Sequence, residues 1–279
     1  MINKIITTIS KYRNCNKINP VNYDNLLRSP GQSLDEEIEK IQDNLMSRYI
    51  NISVGFFFFS IFLILNKFIS ISIIFTLIYA ISFITYAAKI KKKIRDYRLG
   101  CDGEKSVAQY LSIVARQVSK ENSNMHIYHD LVDEKKKFNI DHVVVSKKGI
   151  FIVETKTYRK DKRITNKITS NGKELFKNGH KMINNIPLQV KGQVQWLQSE
   201  LLQTTGKKYE IISTIAFVGW YVEGDKIDDI YITQAKTLKN IFEHQYIDVI
   251  YDDEELKRIT SCIHKLATVT NKKHTDICK

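Results

Sequence analysis

Proline and glycine are scarce, 3 and 11 among 279 residues, which excludes collagen-like and low-complexity chains. With 43% apolar residues the chain is able to bury a core. The four cysteines, Cys15, Cys101, Cys262 and Cys278, form no C-x-x-C pair, so neither a disulfide framework nor a paired-cysteine zinc ribbon is indicated, and a reducing compartment fits. A faint zinc candidate remains in Cys262, His264, His274 and Cys278, whose first spacing is too short for a usual structural site. The chain also lacks a G-x-x-x-x-G-K-[ST] phosphate loop and a G-x-G-x-x-G run, so an ATP-driven motor is excluded. Acidic residues are outnumbered 30 to 43 by Lys and Arg, and the net charge of +13 suits polyanionic partners such as nucleic acid or anionic lipid headgroups.

What the sequence does contain is one long apolar run. From Tyr49 to Ala88 the only charge is Lys67, over about 40 residues where one membrane crossing needs roughly 20. Asn66 and Lys67 divide the run, predicting a two-helix transmembrane hairpin over 49–88. Its distance from the first residue and its length argue against a signal peptide. The basic stretch KIKKKIRDYR follows at once and belongs on the cytoplasmic side. The expectation is a multi-pass protein of the inner or cytoplasmic membrane, in contact with membrane lipids, with residues 1–48 as a cytoplasmic tail and everything after residue 88 in the cytoplasm. If only the second segment crosses, the tail's side is open. In the tail, Ser33 with Glu36 predicts a capping box opening a short helix, SLDEEIEKIQDNLMSR.

Beyond residue 100 the pattern is globular. Val107, Leu111, Val114 and Val118 make an amphipathic helical stripe, with Asp102 as a candidate cap and Glu104 at the head of the stripe. HIYHDLVD, NIDHVVVSKK and GIFIVETKTY read as strands, the last two as a hairpin. If the turn sets Ser146 opposite Gly149, then Val145 opposes Ile150, Val143 opposes Ile152 and Asp141 opposes Glu154; a three-residue turn would instead bring Asp141 opposite Thr155. Opposed carboxylates are destabilising unless a cation neutralises them, and strand alternation puts Lys156 on the face of Glu154. The segment from Lys156 to Lys181 holds nine Lys or Arg against Asp161 and Glu174 and reads as a basic loop beside that cluster, with Tyr158 and Phe176 as stacking residues or loop anchors. IPLQVKGQVQWLQSELL predicts a helix with Pro187 in its first turn and a core stripe of Val190, Val194, Leu197 and Leu201. EIISTIAFVGW, IYITQ, TLKNIFEHQ and DEELKRITSCIHKLAT follow as strand, strand, helix and helix. His126, His129 and His142 have no metal-ligand spacing and read as packed or surface residues.

GEKSVAQYL, IDHVVVSKKGIFIVETK and NNIPLQVKGQVQWL together resemble the nuclease-related domain (NERD), a branch of the PD-(D/E)XK nuclease superfamily related to Mrr-type restriction endonucleases. The resemblance implies an α/β fold, a restriction-endonuclease-like mixed sheet flanked by helices, here preceded by two transmembrane helices. It implies hydrolysis of DNA phosphodiester bonds with Mg²⁺ or Mn²⁺, with Glu104, Asp141, Glu154, Lys156 and Gln189 as catalytic residues and Asp141, Glu154 and the Thr155 carbonyl as metal ligands. Ile186 intervenes before Pro187, where the family has Pro directly after Asn, so Gln193, one turn on, is the substitute for Gln189. The domains expected are the nuclease-like unit at 101–235 and a helical extension at 236–279. The alternative is a non-catalytic, membrane-anchored module that keeps the fold and binds nucleic acid or protein only.

Overall fold

A computed structural model describes residues 26–118, 125–133, 138–183, 185–224, 226–244 and 250–268. Helix α1 spans Gln32–Leu65 and α2 spans Ile69–Val118, joined by a turn in which Lys67 takes a positive φ of 64° and the Asn66 side chain donates to the Phe62 carbonyl. The two lie side by side through aromatic contacts, Phe56 stacking on Tyr79 at 4.4 Å and Tyr49 meeting Phe83 edge-on at 4.8 Å, with Ser53 and Tyr79 sharing a hydrogen bond. Both helices are long and apolar enough to cross a membrane, and their apolar residues, such as Phe58, Leu65 and Ile81, face outward.

Neither helix is confined to the apolar run: α1 begins at Gln32, so the expected short helix is its first half and continues into the first apolar segment without a break. At 50 residues α2 is about 75 Å long, well over the roughly 30 Å hydrocarbon core of a bilayer, and its far half enters the globular unit. The Lys- and Arg-rich stretch between is made of good helix formers, so nothing breaks the helix there. Asp102 is consequently mid-helix and caps nothing. Ser33 is likewise inside α1, whose cap is Gly31 in a left-handed conformation (φ 78°); Gly31 sits against Cys101, where a Cβ would come within 2.6 Å of the sulfur. The Ser33 N–H is taken by the Asp130 carboxylate instead.

The main sheet has six strands in the order β1-β2-β3-β7-β10-β9. Strands β1 (His126–Asp133), β2 (Phe138–Ser146) and β3 (Gly149–Lys156) form an antiparallel meander. β7 (Ile211–Phe217) pairs parallel with β3, β10 (Ile230–Gln234) parallel with β7, and β9 (Lys226–Ile227) antiparallel with β10. One face packs on α3 (Ile186–Thr205) and α5 (Asp253–Ala267) through Val143, Ile150, Ile152, Leu197, Leu201, Ile259 and Ile263. The other packs on α2 and α4 (Leu238–His244) through Val107, Leu111, Val144, Phe151, Val153 and Leu238. The helix at 253–267 is thus part of the first core layer, not an appendage: Leu256, Ile259 and Ile263 are all buried.

The segment read as a basic loop is instead a second small sheet. β4 (Lys167–Ser170), β5 (Leu175–Lys177), β6 (His180–Lys181) and β8 (Tyr221–Glu223) pair in the order β6-β5-β4-β8, over a core of Ile168, Leu175, Phe217 and Trp220. These strands are two to four residues long and mix charge with apolar positions, so no period marks them.

Candidate active site

The β2–β3 turn is the two-residue form. Ser146 pairs with Gly149, Val145 with Ile150, Val143 with Ile152 and His142 with Val153, so the next rung brings Asp141 level with Glu154. At that open end Asp141 Oδ2 accepts the Thr155 backbone N–H at 2.8 Å. Both carboxylates are buried, Glu154 at 1% exposure. Lys156 Nζ lies 2.5 Å from Glu154 Oε1.

Helix α3 supplies two glutamines, not one. Its start is fixed by Asn185, whose side chain accepts the Leu188 N–H, and by Pro187 in the first turn. Gln189 donates to Glu154 Oε1 at 2.8 Å and accepts from Lys156 Nζ at 3.2 Å. Gln193, one turn deeper and fully buried, donates to Glu154 Oε2 at 2.6 Å and to the Asn139 carbonyl at 2.9 Å. Helical spacing puts both on one face, so the choice between them dissolves.

Helix α2 brings Glu104 from the opposite side. The close approach needs Gly103: a Cβ there would come within 1.8 Å of the Thr157 hydroxyl. Glu104 is 5% exposed and its Oε2 has no hydrogen-bond partner. Burial first, then the nearby Asp130 and Glu154 charges, push its pKa up to about 8. Asp141 is likewise held well above the ordinary carboxylate range, by burial and by Glu154 and Glu104. Burial works against the Lys156 ammonium, but Glu154 and Asp141 outweigh it and its pKa is raised. Three buried carboxylates therefore surround one lysine.

A fourth acid, Asp130, escaped the sequence reading. It is wholly buried on β1, at the rung of Asp141, and its positive φ of 52° interrupts the β1–β2 pairing there. Its partners are Arg28 at 2.7 Å, the Ser33 N–H at 2.9 Å and the Asn139 side chain at 2.8 Å. Its strand, HIYHDLVD, also carries His126, His129 and Asp133, so one more polar residue there gave no local cue. Of the histidines read as packed or surface residues, His142 is fully buried, shares a 2.8 Å hydrogen bond with His129 through their Nδ1 atoms, and contacts the Thr155 hydroxyl. Of the zinc candidate, Cys262 is in the core and His264 stands edge-on to Tyr128, while His274 and Cys278 lie outside the described residues.

The basic surface is partly neutralised. Of the nine bases from Lys156 to Lys181, five are ion-paired: Lys156 with Glu154, Arg159 with Asp96, Arg163 with Asp161, Lys167 with Glu223 and Lys181 with Glu174. Lys177 lies over the Tyr158 ring. Tyr158 is a structural anchor, packed against Phe217 and Trp220 and accepting the Trp220 indole N–H on its carbonyl.

The donor chemistry fits a small hard cation: Asp141 and Glu154 offer carboxylate oxygens, and Mg²⁺ is commonly held by one or two carboxylates with water completing its shell. The unpartnered Glu104 oxygen and the surplus of acid over base are what a site built around a cation leaves when none is bound. Among the described residues no three His, Cys, Asp or Glu side chains already converge as a ligand set.

The fold and the site define a mixed α/β unit with an acidic cluster at the end of an E-x-K strand. In agreement, residues 99–218 match the family model described as the nuclease-related domain. No curated protein and no solved structure matches the chain.

Proposed function

We propose that the chain is a membrane-anchored, metal-dependent nuclease of the PD-(D/E)XK type that hydrolyses DNA phosphodiester bonds. The observation that carries this reading is the meeting of Glu104, Asp141, Glu154 and Lys156 at one end of the sheet, within the segment that matches the nuclease-related domain. Asp141 and Glu154, with the Thr155 carbonyl, would hold Mg²⁺ or Mn²⁺, which when bound supplies a Lewis acid for a phosphate oxygen and lowers the pKa of its water. Gln189 and Gln193 fix the orientation of the Glu154 carboxylate. Lys156, whose raised pKa keeps it an ammonium, stabilises the charge of the pentacoordinate phosphorus and is no proton acceptor. Glu104, aimed at the same cluster with one oxygen free, is the group in a position to orient the attacking water.

Lys160 and Lys236 line a depression of about 530 Å³ beside the ends of β7 and β10, which favours DNA-backbone contact there. Surface pairs such as Arg163–Asp161 are individually weak, so phosphate is able to displace the acid partner. The α1–α2 hairpin crosses the inner or cytoplasmic membrane twice, with the basic run Lys89–Arg98 and the nuclease unit on the cytoplasmic side. Support for the double crossing comes from Arg28 and Leu27, before the hairpin, which contact Asp130 and Thr268, after it; both ends of the hairpin then share one side.

A second reading, the non-catalytic anchor, draws on one observation: Glu154 is already engaged by Lys156, Gln189 and Gln193, which satisfies both of its oxygens without a metal. The full chain in detergent decides between them. The nuclease reading expects duplex DNA to be cut with Mg²⁺ or Mn²⁺ and the cutting to stop on chelation; DNA binding without cleavage under either metal favours the anchor.

A further inference from the structure

We propose that the segment before the membrane hairpin, residues 28–33, is a working part of the candidate active site, with Arg28 as a positioning residue that holds Asp141 and Glu104 through Asp130, Asn139 and Gly31. The proposal rests on the nuclease reading and assigns to it a part of the chain that lies outside the matched segment 99–218.

Asp130 is a buried carboxylate within a cluster that already has too many, and burying it requires a partner. Arg28 is that partner. Its guanidinium reaches Asp130 Oδ2 through both Nε (2.8 Å) and a terminal nitrogen (2.7 Å), and it also meets Glu36 at 3.2 Å. The Ser33 N–H adds a third donor to the same oxygen at 2.9 Å, while Ser33 Oγ accepts from Arg28 at 3.1 Å. The other oxygen, Oδ1, accepts from the Asn139 side chain at 2.8 Å, and that amide also reaches Asp141 Oδ1 at 3.5 Å. A chain of contacts thus runs Arg28, Asp130, Asn139, Asp141. A second contact runs through Gly31, whose carbonyl accepts from Cys101 Sγ at 3.7 Å and whose lack of a side chain lets it lie on Cys101, about one turn ahead of Glu104 on α2.

The segment is fastened at its outer end as well. The Arg28 N–H donates to the Ala267 carbonyl at 2.9 Å, next to the Leu27–Thr268 bridge, so the strap is tied to the last helix as well as to the site. Arg28 touches neither the E-x-K pair nor the basic rim, so its action on catalysis is indirect. Positioning groups one shell out from metal ligands are typically worth about 10- to 100-fold in affinity or activity.

The test compares full-length wild type, Arg28→Ala, Arg28→Lys and the double variant Arg28→Ala with Asp130→Asn, all in detergent. The readouts are Mn²⁺ affinity by calorimetry, kcat and KM for duplex DNA, and hydrogen exchange at residues 101–105 and 139–141. Arg28→Ala should lower kcat by about 10- to 100-fold with KM changed by less than about twofold, weaken Mn²⁺ binding and speed exchange at both segments. Arg28→Lys should fall between, because a point charge replaces a two-pronged one. The double variant should regain Mn²⁺ affinity and slow exchange, since the buried charge is gone. Wild-type kcat, Mn²⁺ affinity and exchange in Arg28→Ala would overturn the proposal, and so would a loss that the double variant does not recover. If wild type neither binds Mn²⁺ nor cuts DNA, the nuclease reading fails, and the exchange data still decide whether Arg28 holds residues 139–141.

Discussion

Three acids around one ammonium make the metal-free protein sensitive to pH, and the sign follows from where each proton resides. Glu104 has a folded pKa of about 8 against an ordinary 4.5, so between those values the unfolded chain gives up a proton that the folded protein keeps. Its contribution to stability therefore falls as pH rises from about 4.5 to 8 and is level above. The buried His129–His142 pair acts oppositely: both pKa values lie below the ordinary 6.5, so the unfolded chain takes up protons below 6.5 and stability is lost on that side. In EDTA the thermal midpoint should decline from pH 6.5 to 8, and Glu104→Gln should flatten the decline; a wild-type midpoint that rises over that range contradicts the assignment. The same imbalance sets the direction for substitutions in metal-free protein. Asp141→Asn should raise stability by relieving like-charge repulsion, whereas Lys156→Ala, which leaves Glu154 without its cation, should cost about 1.5–3 kcal/mol by denaturant titration. Asp141, Glu154 and Lys156 were legible from the hairpin register and the strand alternation, and Glu104 only through the family resemblance. Arg28 and Asp130 were not, since their pairing spans 102 positions and leaves no local pattern.

At the scale of elements, the site depends on how closely α2 approaches β3. A methyl group at Gly103 meets the Thr157 hydroxyl at a distance no real contact shows, so Gly103→Ala must displace the Thr157 side chain or the helix itself. We expect Gly103→Ala to fold less stably by about 1–3 kcal/mol and to lose activity more than Gly192→Ala, which meets open space on α3. Equal activity in the two variants would separate Glu104 from the chemistry. The β1–β3 strands and the helices at 186–205 and 253–267 were readable from apolar runs, amphipathic spacing and a Pro at the first turn. β3 is buried at all but its last residue, so alternation did not assign its faces; the turn chemistry SKKG did. The four short strands of the second sheet were unreadable because their order comes from packing over Phe217 and Trp220, not from periodicity.

For the whole molecule, the hairpin and the α/β unit share one continuous helix, and the segment before the hairpin closes back on the unit. A fragment starting near residue 95 therefore discards Arg28 and Ser33 and leaves Asp130 buried without its cation. Such a fragment should unfold at lower temperature than the full chain and should not be used to judge activity; an equal midpoint by scanning calorimetry would show the strap to be dispensable. DNA affinity of the full chain should fall linearly in log–log form as salt rises, because the contacts proposed are to phosphate. Reporters fused at either end should both report the cytoplasm, and a split result would contradict the double crossing.

The central claim is that the acidic cluster at the end of β3 cuts DNA with a divalent cation. The most direct measurement is the initial rate of Mg²⁺-dependent cleavage of duplex DNA by full-length wild type and Glu154→Gln, prepared side by side and matched for folding by thermal midpoint. The expected result is cleavage by wild type and a loss of about 100-fold or more in Glu154→Gln. Equal rates in the two preparations would contradict the claim and assign the activity elsewhere.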